Sequence, residues 1–181
     1  MNDLQKYHPS QVLRYCPFCG AADFEWDGFN AHVCKHCGHK LYVNSAAAVV
    51  ALIQNEAGEL LLVRRKFDPA QGTLDLPGGF VNIGEAAEDA VCREVKEELN
   101  LEVTETTFWH SFPNQYLYGG IVYFTTDLVF VCKVLNFTEL EVSDDVSGSN
   151  FLPINSIKPE QIGLASIKNV ITCLQKSASI C

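Results

Sequence analysis

The sequence predicts a mixed α/β domain from about residue 44 onward, preceded by a small four-cysteine ribbon over residues 1–43. Three observations carry this. Two C-x-x-C pairs stand close together near the N-terminus. Apolar strand-like runs then alternate with polar turns. Two segments with helical periodicity are interleaved with those strands, which is the pattern of an α/β rather than an all-β chain. The chain has 181 residues, 48% hydrophobic and 19% charged. A chain of that length and composition builds one ordinary domain plus a small appendage.

The ribbon comes first. Cys16-Pro17-Phe18-Cys19-Gly20 and Cys34-Lys35-His36-Cys37-Gly38 each wrap a tight turn that aims two sulfurs at one point, and the following Gly lets the backbone turn away. Doubled spacing of this kind marks a structural Zn2+ site with four thiolate ligands, Cys16, Cys19, Cys34 and Cys37. Disulfides or a redox pair are the alternatives. A cytoplasmic location argues against the first, and duplicated Gly-terminated turns argue against the second. Between the pairs, Asp27-Gly28 is a hairpin signal flanked by aromatics. His36 and His39 are expected to face solvent, because four thiolates complete the shell. The remaining cysteines, Cys92, Cys132, Cys173 and Cys181, are scattered, and Cys92 and Cys132 read as core thiols.

From residue 44 the elements follow in order. Ser45–Gln54 reads as a buried strand, Asn55–Gly58 as a turn and Glu59–Lys66 as a second strand. A loop with Pro69 and Gly72 leads to the short extended piece Leu74–Gly79. Glu85–Leu99 is helical. Glu102–Ser111 and Ile121–Leu135 are strand-like, Glu139–Gly148 is an acidic loop and Phe151–Ile154 a short strand. The last helix turns Ile167, Val170, Ile171 and Leu174 inward, at i, i+3, i+4 and i+7.

Charge and hydropathy narrow the functional classes. The formal net charge is −9. Residues 1–43 hold four basic and four acidic side chains, so residues 44–181 carry the whole excess. Nucleic-acid binding normally needs clustered Lys and Arg, so nucleic acid is not the expected partner. The longest apolar run, Ala46–Ile53, is far short of the roughly 20 residues a membrane span needs. The N-terminus lacks the apolar stretch of a secretory signal, and Cys181 stands at the wrong place for prenylation. A cytoplasmic protein with no membrane partner is expected.

The chemistry concentrates on the first helix. On a helical wheel Glu98 lies about 40° to one side of Glu94 and Glu97 about 60° to the other, so three carboxylates share one face. Arg93 falls at its edge. Val91, Cys92, Val95 and Leu99 form a separate apolar face. Like charges at this spacing repel, and residues 85–98 hold six acids against Arg93 and Lys96. A solvated charged face would mix signs. Converging carboxylates are what Mg2+ or Mn2+ requires.

The run from Gly79 to Leu101 resembles the Nudix box, G-x5-E-x7-R-E-U-x-E-E-x-G-U, where U is aliphatic. Gly79, Glu85, Arg93, Glu94, Val95, Glu97, Glu98 and Leu101 match, and Leu76-Pro77-Gly78-Gly79 resembles the family's entry to the box. Asn100 stands where the pattern has Gly. That Gly ends the helix in a left-handed turn, and Asn is the next best residue for it. The resemblance implies a Nudix α/β/α sandwich with a mixed sheet over residues 44–181. It implies metal-dependent hydrolysis of a nucleoside diphosphate linked to another group, such as NAD(H) or ADP-ribose.

By the same resemblance Arg93, Glu94 and Glu98 are catalytic. Gly79, Glu94, Glu97, Glu98 and Asp145 hold Mg2+ or Mn2+, and Glu85 supports the loop or a second ion. Glu94, Glu98 and the late acids Glu139, Glu141, Asp144 and Asp145 are the candidates for general base. A ribbon ahead of a Nudix domain is similar to the arrangement in NADH pyrophosphatases, and homodimers are implied on the same ground. The S-Q-P-W-P-F-P-x-S motif of that group is echoed in His110–Tyr118 only by a Ser and a Pro. Arg65 is a candidate for substrate phosphate, with Arg64 beside it. Phe112 and Tyr116 are candidates for stacking on a base, with packing in the core or a dimer as the equal alternative. A Nudix-fold sensor that binds without turnover, using the ribbon as an interaction module, is the alternative. Loss of a box carboxylate would have favoured it, and none is lost.

Overall fold

The structure is a computed structural model that describes residues 3–143 and 145–176. Asp144 and Cys181, both singled out in the sequence, lie outside the described residues. The chain divides into two compact units. One comprises Met1–Ser45 and Gln115–Phe124, the other Ala46–Asn114 and Thr125–Cys181.

In the first unit a one-turn helix α1 (Pro9–Val12) precedes three short strands, β1 (Phe24–Trp26), β2 (Ala31–Cys34) and β3 (Lys40–Tyr42). They form an antiparallel sheet in the order β1-β2-β3, with Phe24 opposite Cys34 and Val33 opposite Lys40. Asp27 makes the expected turn: its Oδ1 accepts the backbone N–H groups of Phe29, Asn30 and Ala31. His32 is buried, with Nδ1 3.4 Å from the Phe24 carbonyl and Nε2 3.3 Å from the Pro9 carbonyl.

The second unit has two sheets. Strands β4 (Ala46–Leu52), β7 (Gly78–Phe80), β8 (Val103–Tyr118) and β9 (Ile121–Val134) form one, in the order β7-β4-β9-β8, with the ends of β8 and β9 from Gln115 to Phe124 counted in the first unit. Its β4–β9 pairing is parallel and its β4–β7 pairing antiparallel, so the sheet is mixed. Strands β5 (Leu60–Arg65), β6 (Leu74–Asp75) and β10 (Val146–Leu152) form the other, in the order β10-β5-β6, all antiparallel.

Alternation along the strands feeds two cores. Val50, Leu52, Leu60 and Leu62 point to one side and pack with Ile167, Val170, Ile171 and Leu174 of helix α3 (Ala165–Lys176). Val49, Ala51, Leu61 and Val63 point to the other and pack with Ala90, Val91, Val95 and Leu99 of helix α2 (Ala87–Leu99). The result is the sandwich of helix, sheet and helix that the sequence predicts. Among the described residues no helix is long and apolar enough to cross a membrane.

Three boundaries differ from the sequence expectation. Strand β8 runs on from the expected Glu102–Ser111 to Tyr118, through Pro113. It is an edge strand, where a missing N–H is tolerated. Gly119 and Gly120, at φ +58° and +82°, then make a two-residue turn into β9. Strand β10 starts at Val146, well before Phe151. Helix α2 starts at Ala87 rather than Glu85, because Glu85 is drawn out of the helix by Arg93.

Candidate active site

Helix α2 and the segment before it build the site. At the helix C-terminus Asn100 adopts the left-handed conformation, φ 55° and ψ 22°, and its N–H bonds to the Lys96 carbonyl. This is the turn that the box pattern assigns to Gly. Strand β7 runs beside β4, with Gly79 opposite Val49 and Gly78 opposite Val50. The helix face carrying Glu94 lies against it.

Arg93 organises the carboxylates. Its Nε and Nη2 donate to Glu85 Oε1 at 2.7 Å and Oε2 at 2.9 Å, a two-point fork. Its Nη1 donates to Glu94 Oε1 at 2.7 Å and to Glu97 Oε2 at 2.9 Å, and Nη2 also reaches the Phe80 carbonyl. The Asn82 N–H adds a bond to Glu85. The Arg93 guanidinium, helped by that N–H, holds the Glu85 carboxyl down at about 2. The chain from Phe80 to Glu85 is thereby tied to the helix that carries the acids.

Glu98 behaves differently from its neighbours. It is only 6% exposed, and its Oε2 accepts the Gly78 N–H at 3.1 Å. Burial pushes its carboxyl up to about 8 against the pull of that N–H, and the charges of Glu94, Asp75 and Asp145 push the same way. A buried acid surrounded by acids fits a place for a cation. Gly79 adds a second fit: a Cβ there would meet the Glu94 carboxylate, so only Gly lets that carboxylate lie over strand β7. Glu94, Glu97 and Glu98 offer only hard oxygens, the donor type that Mg2+ or Mn2+ takes, although their carboxylates are not drawn together as closely as the four cysteine sulfurs of the ribbon.

The late acidic loop is fastened to the same end of the helix. The Ser143 N–H donates to the Glu98 carbonyl at 2.9 Å and the Glu141 N–H to the Leu99 carbonyl at 3.1 Å. The Asp145 side chain is exposed, and its carbonyl accepts the Lys66 N–H at 2.9 Å.

The four cysteines form a separate centre. Their sulfurs all lie within 4.8 Å of one another, the one such group of three or more metal-ligating side chains among the described residues. Cys16 Sγ is 3.8 Å from Cys37 Sγ, and Cys19 Sγ is 3.6 Å from Cys34 Sγ. A disulfide needs about 2.05 Å. A tetrahedron with metal–sulfur bonds of about 2.3 Å has edges of about 3.8 Å, which the cluster fits. The Cys37 N–H holds the Cys34 thiol down at about 6. His36 is exposed, and His39 stacks on Phe18.

The three expected substrate residues have these surroundings. Arg65 is engaged by Asp75 Oδ2 at 2.7 Å and by the Pro69 carbonyl at 2.8 Å. Phe112 is a core residue, packed between Trp109 and a stacked His110, because β8 alternation turns it inward. Tyr116 lies in the unit that contains the ribbon, tilted against Tyr118. Sequence reasoning missed Asp75. Its one signal was a charge between two apolar residues, Leu74-Asp75-Leu76, three residues before the first Gly of the pair.

Residues 44–171 match the NUDIX domain family. An ADP-ribose pyrophosphatase of Methanocaldococcus jannaschii is 35% identical over 121 residues, 66% of this chain and 68% of that one. An NAD-capped RNA hydrolase NudC of Yersinia pestis is 30% identical over 118 residues, 63% of this chain but only 43% of its own length. A NUDIX hydrolase of Nitrosomonas europaea shares the fold at a TM-score of 0.68 and 19% identity, over 91% of this chain and 92% of that one. The family match spans well over half of the chain, and the chain belongs to the Nudix hydrolase family.

Proposed function

We propose that the protein is a divalent-metal-dependent pyrophosphohydrolase whose substrate is a nucleoside diphosphate joined to another group, with ADP-ribose first and NAD(H) next. The observation that carries this is the Arg93 fork, which gathers Glu85, Glu94 and Glu97 beside Gly79 while Glu98 stays buried against the Gly78 N–H. The name of the Methanocaldococcus relative supports the choice of ADP-ribose. The ribbon's zero net charge supports a small nucleotide over a nucleic acid.

Glu94, Glu97, Glu98 and the Gly79 carbonyl would hold Mg2+ or Mn2+. When bound, such ions neutralise pyrophosphate charge and lower the pKa of a coordinated water. The chain's own part is positioning. Arg93 fixes the Glu94 and Glu97 carboxylates, and Glu85 fixes Arg93. Glu98 has Oε2 engaged by Gly78, which leaves Oε1 to take a proton from the attacking water. Attack on one phosphorus breaks the P–O–P bond and leaves a nucleoside monophosphate and the phosphorylated second group. The four-cysteine cluster is a structural Zn2+ site on this proposal.

The test is Mg2+-dependent hydrolysis across ADP-ribose, NADH, NAD+, dinucleoside polyphosphates, coenzyme A and nucleotide sugars, with Glu98→Gln beside the wild type. Turnover of ADP-ribose, lost in the variant, is the expected result. Tight binding of one compound without turnover of any would overturn it in favour of a sensor.

A further inference from the structure

Arg65 ends strand β5 and makes at least four hydrogen bonds to the chain around it. Its Nη1 donates to Asp75 Oδ2 and its Nε to the Pro69 carbonyl. Its N–H donates to the Thr73 carbonyl at 3.0 Å, and its own carbonyl accepts the Gly72 N–H at 2.9 Å. One residue therefore holds the 66–73 loop at three places and strand β6 at a fourth. Asp75 passes the constraint on, because its Oδ1 accepts the Leu76 N–H at 2.8 Å. The Pro77 carbonyl accepts the Ala51 N–H, and the Gly78 N–H donates to Glu98.

On the other side of β5, Val146 pairs with Arg65, and the Lys66 N–H bonds to the Asp145 carbonyl. The two segments that flank Glu98 thus both attach at the end of strand β5, one through its backbone and the other through the Arg65–Asp75 ion pair, whose side chains are 19% and 8% exposed. The loop also packs closely behind: a Cβ on Gly163 would lie 2.2 Å from the Ala70 Cβ. Turning the guanidinium toward a substrate phosphate would leave Asp75 buried without its cation, an arrangement proteins rarely accept.

We propose that Arg65 and Asp75 form a buried latch that fixes the 66–73 loop and the Leu76–Gly79 segment relative to Glu98, so that Arg65 is a positioning residue and not a phosphate ligand. The latch rests on the hydrolase assignment for its kinetic consequence, but not for its structural one. From Arg65 to Glu98 the path runs through the ion pair, the two-residue link Leu76-Pro77, which is bonded to Asp75 Oδ1 and to the Ala51 N–H, and the Gly78 N–H, so a shift at the ion pair is carried to the acid with little slack.

Three variants test it: Arg65→Lys, Asp75→Asn and the double variant R65M/D75L. Replacing a buried ion pair by apolar side chains is often neutral for stability, so the double variant separates positioning from folding. Kinetics with ADP-ribose and Mg2+ are read beside amide hydrogen exchange of residues 66–73. Each variant is expected to lower kcat by on the order of ten- to a hundredfold with KM within about twofold, as for a misplaced catalytic group. Exchange in the loop should quicken in all three, while the double variant keeps its Tm. A raised KM at constant kcat in Arg65→Lys, with exchange as in the wild type, would overturn the latch and make Arg65 a phosphate ligand. If the wild type turns over nothing, the hydrolase assignment fails by itself. Exchange then decides alone, and unchanged protection in all three variants would sink the latch.

Discussion

The Glu94 carboxylate lies directly over the α-carbon of Gly79, so close that a Cβ built there would stand 2.5 Å from Oε1. Gly78, one residue earlier, is crowded by backbone instead: its Cβ would stand 2.1 Å from the Val49 carbonyl oxygen, at φ +150°. Adjacent glycines therefore serve different ends. Gly79→Ala must push aside a carboxylate that Arg93 holds, so activity should fall by on the order of ten- to a hundredfold with Tm almost unchanged. Gly78→Ala must move strand β4 and adopt a conformation that costs about 1–3 kcal/mol, so it should lower Tm by several degrees. Thermal melts and kcat for the two variants check the split. Equal loss of stability in both would contradict it.

Glu98 makes the metal-free protein pH-sensitive. Its folded pKa is raised from 4.5 to about 8, chiefly by burial. The sign follows from linkage: the folded state favours the protonated acid, so its contribution to stability is complete below pH 4.5 and is lost as pH rises through about 8. Tm measured in chelator should fall between about pH 5 and pH 9, and Glu98→Gln should flatten that fall. If the metal takes the Glu98 carboxylate, Mg2+ affinity should rise over the same window, and binding at a pH below about 8 should release a proton. Calorimetry in two buffers of different ionisation enthalpy measures that proton. Identical apparent enthalpies would speak against it.

Much of this site could be read from residue order because its logic is local. Arg93, Glu94, Glu97 and Glu98 are placed by helix geometry alone, and Cys16, Cys19, Cys34 and Cys37 by tight local turns. The buried face of α3 followed from periodicity for the same reason. What escaped was long-range. Arg65 finds Asp75 only because β5 and β6 pair, and a strand end in sequence looks free. Phe112 was open between stacking on a base and packing in the core, because the expected strand ended at Ser111 and left its direction unfixed. With β8 continuing to Tyr118, alternation buries it. The burial of Glu98 also needed the fold, since a wheel shows which acids share a face and not which one the sheet covers.

Asn100 sits at the helix C-terminus in a conformation that side chains with a Cβ resist, and Asn resists it less than most. Its Nδ2 also donates to the Glu139 carbonyl at 3.1 Å, tying the helix end to the acidic loop. Asn100→Ala loses both features and should cost about 1–2 kcal/mol. Asn100→Gly gains backbone ease while losing the tie, so its stability should stay within about 0.5 kcal/mol of the wild type. Urea melts of the two variants test the balance. A large loss in Asn100→Gly would assign the effect to the Glu139 bond rather than to the left-handed turn.

The cysteine cluster should make the ribbon fold conditional on metal. Among the described residues the hydrophobic cluster beside the metal-ligating turns consists of Cys16, Phe24 and Cys34, with Leu13, Ala21 and Leu41 packed against it. So small a core does not hold three short strands together, and metal binding has to contribute folding energy. The protein's two Trp residues lie in different units, Trp26 in β1 and Trp109 in β8. In a Trp109→Phe background, Trp26 fluorescence therefore reports the ribbon alone. A strong Zn2+ chelator should shift that emission to the red, and added Zn2+ should restore it at one ion per chain. Cys34→Ser should show the shifted spectrum at the outset and fail to recover with Zn2+. Trp109 in a Trp26→Phe background should barely respond, since its packing against Phe112 and the α3 core contains no cysteine of the cluster. An unshifted Trp26 after the metal is removed would mean that the ribbon folds on its small core, with the four thiols as bystanders.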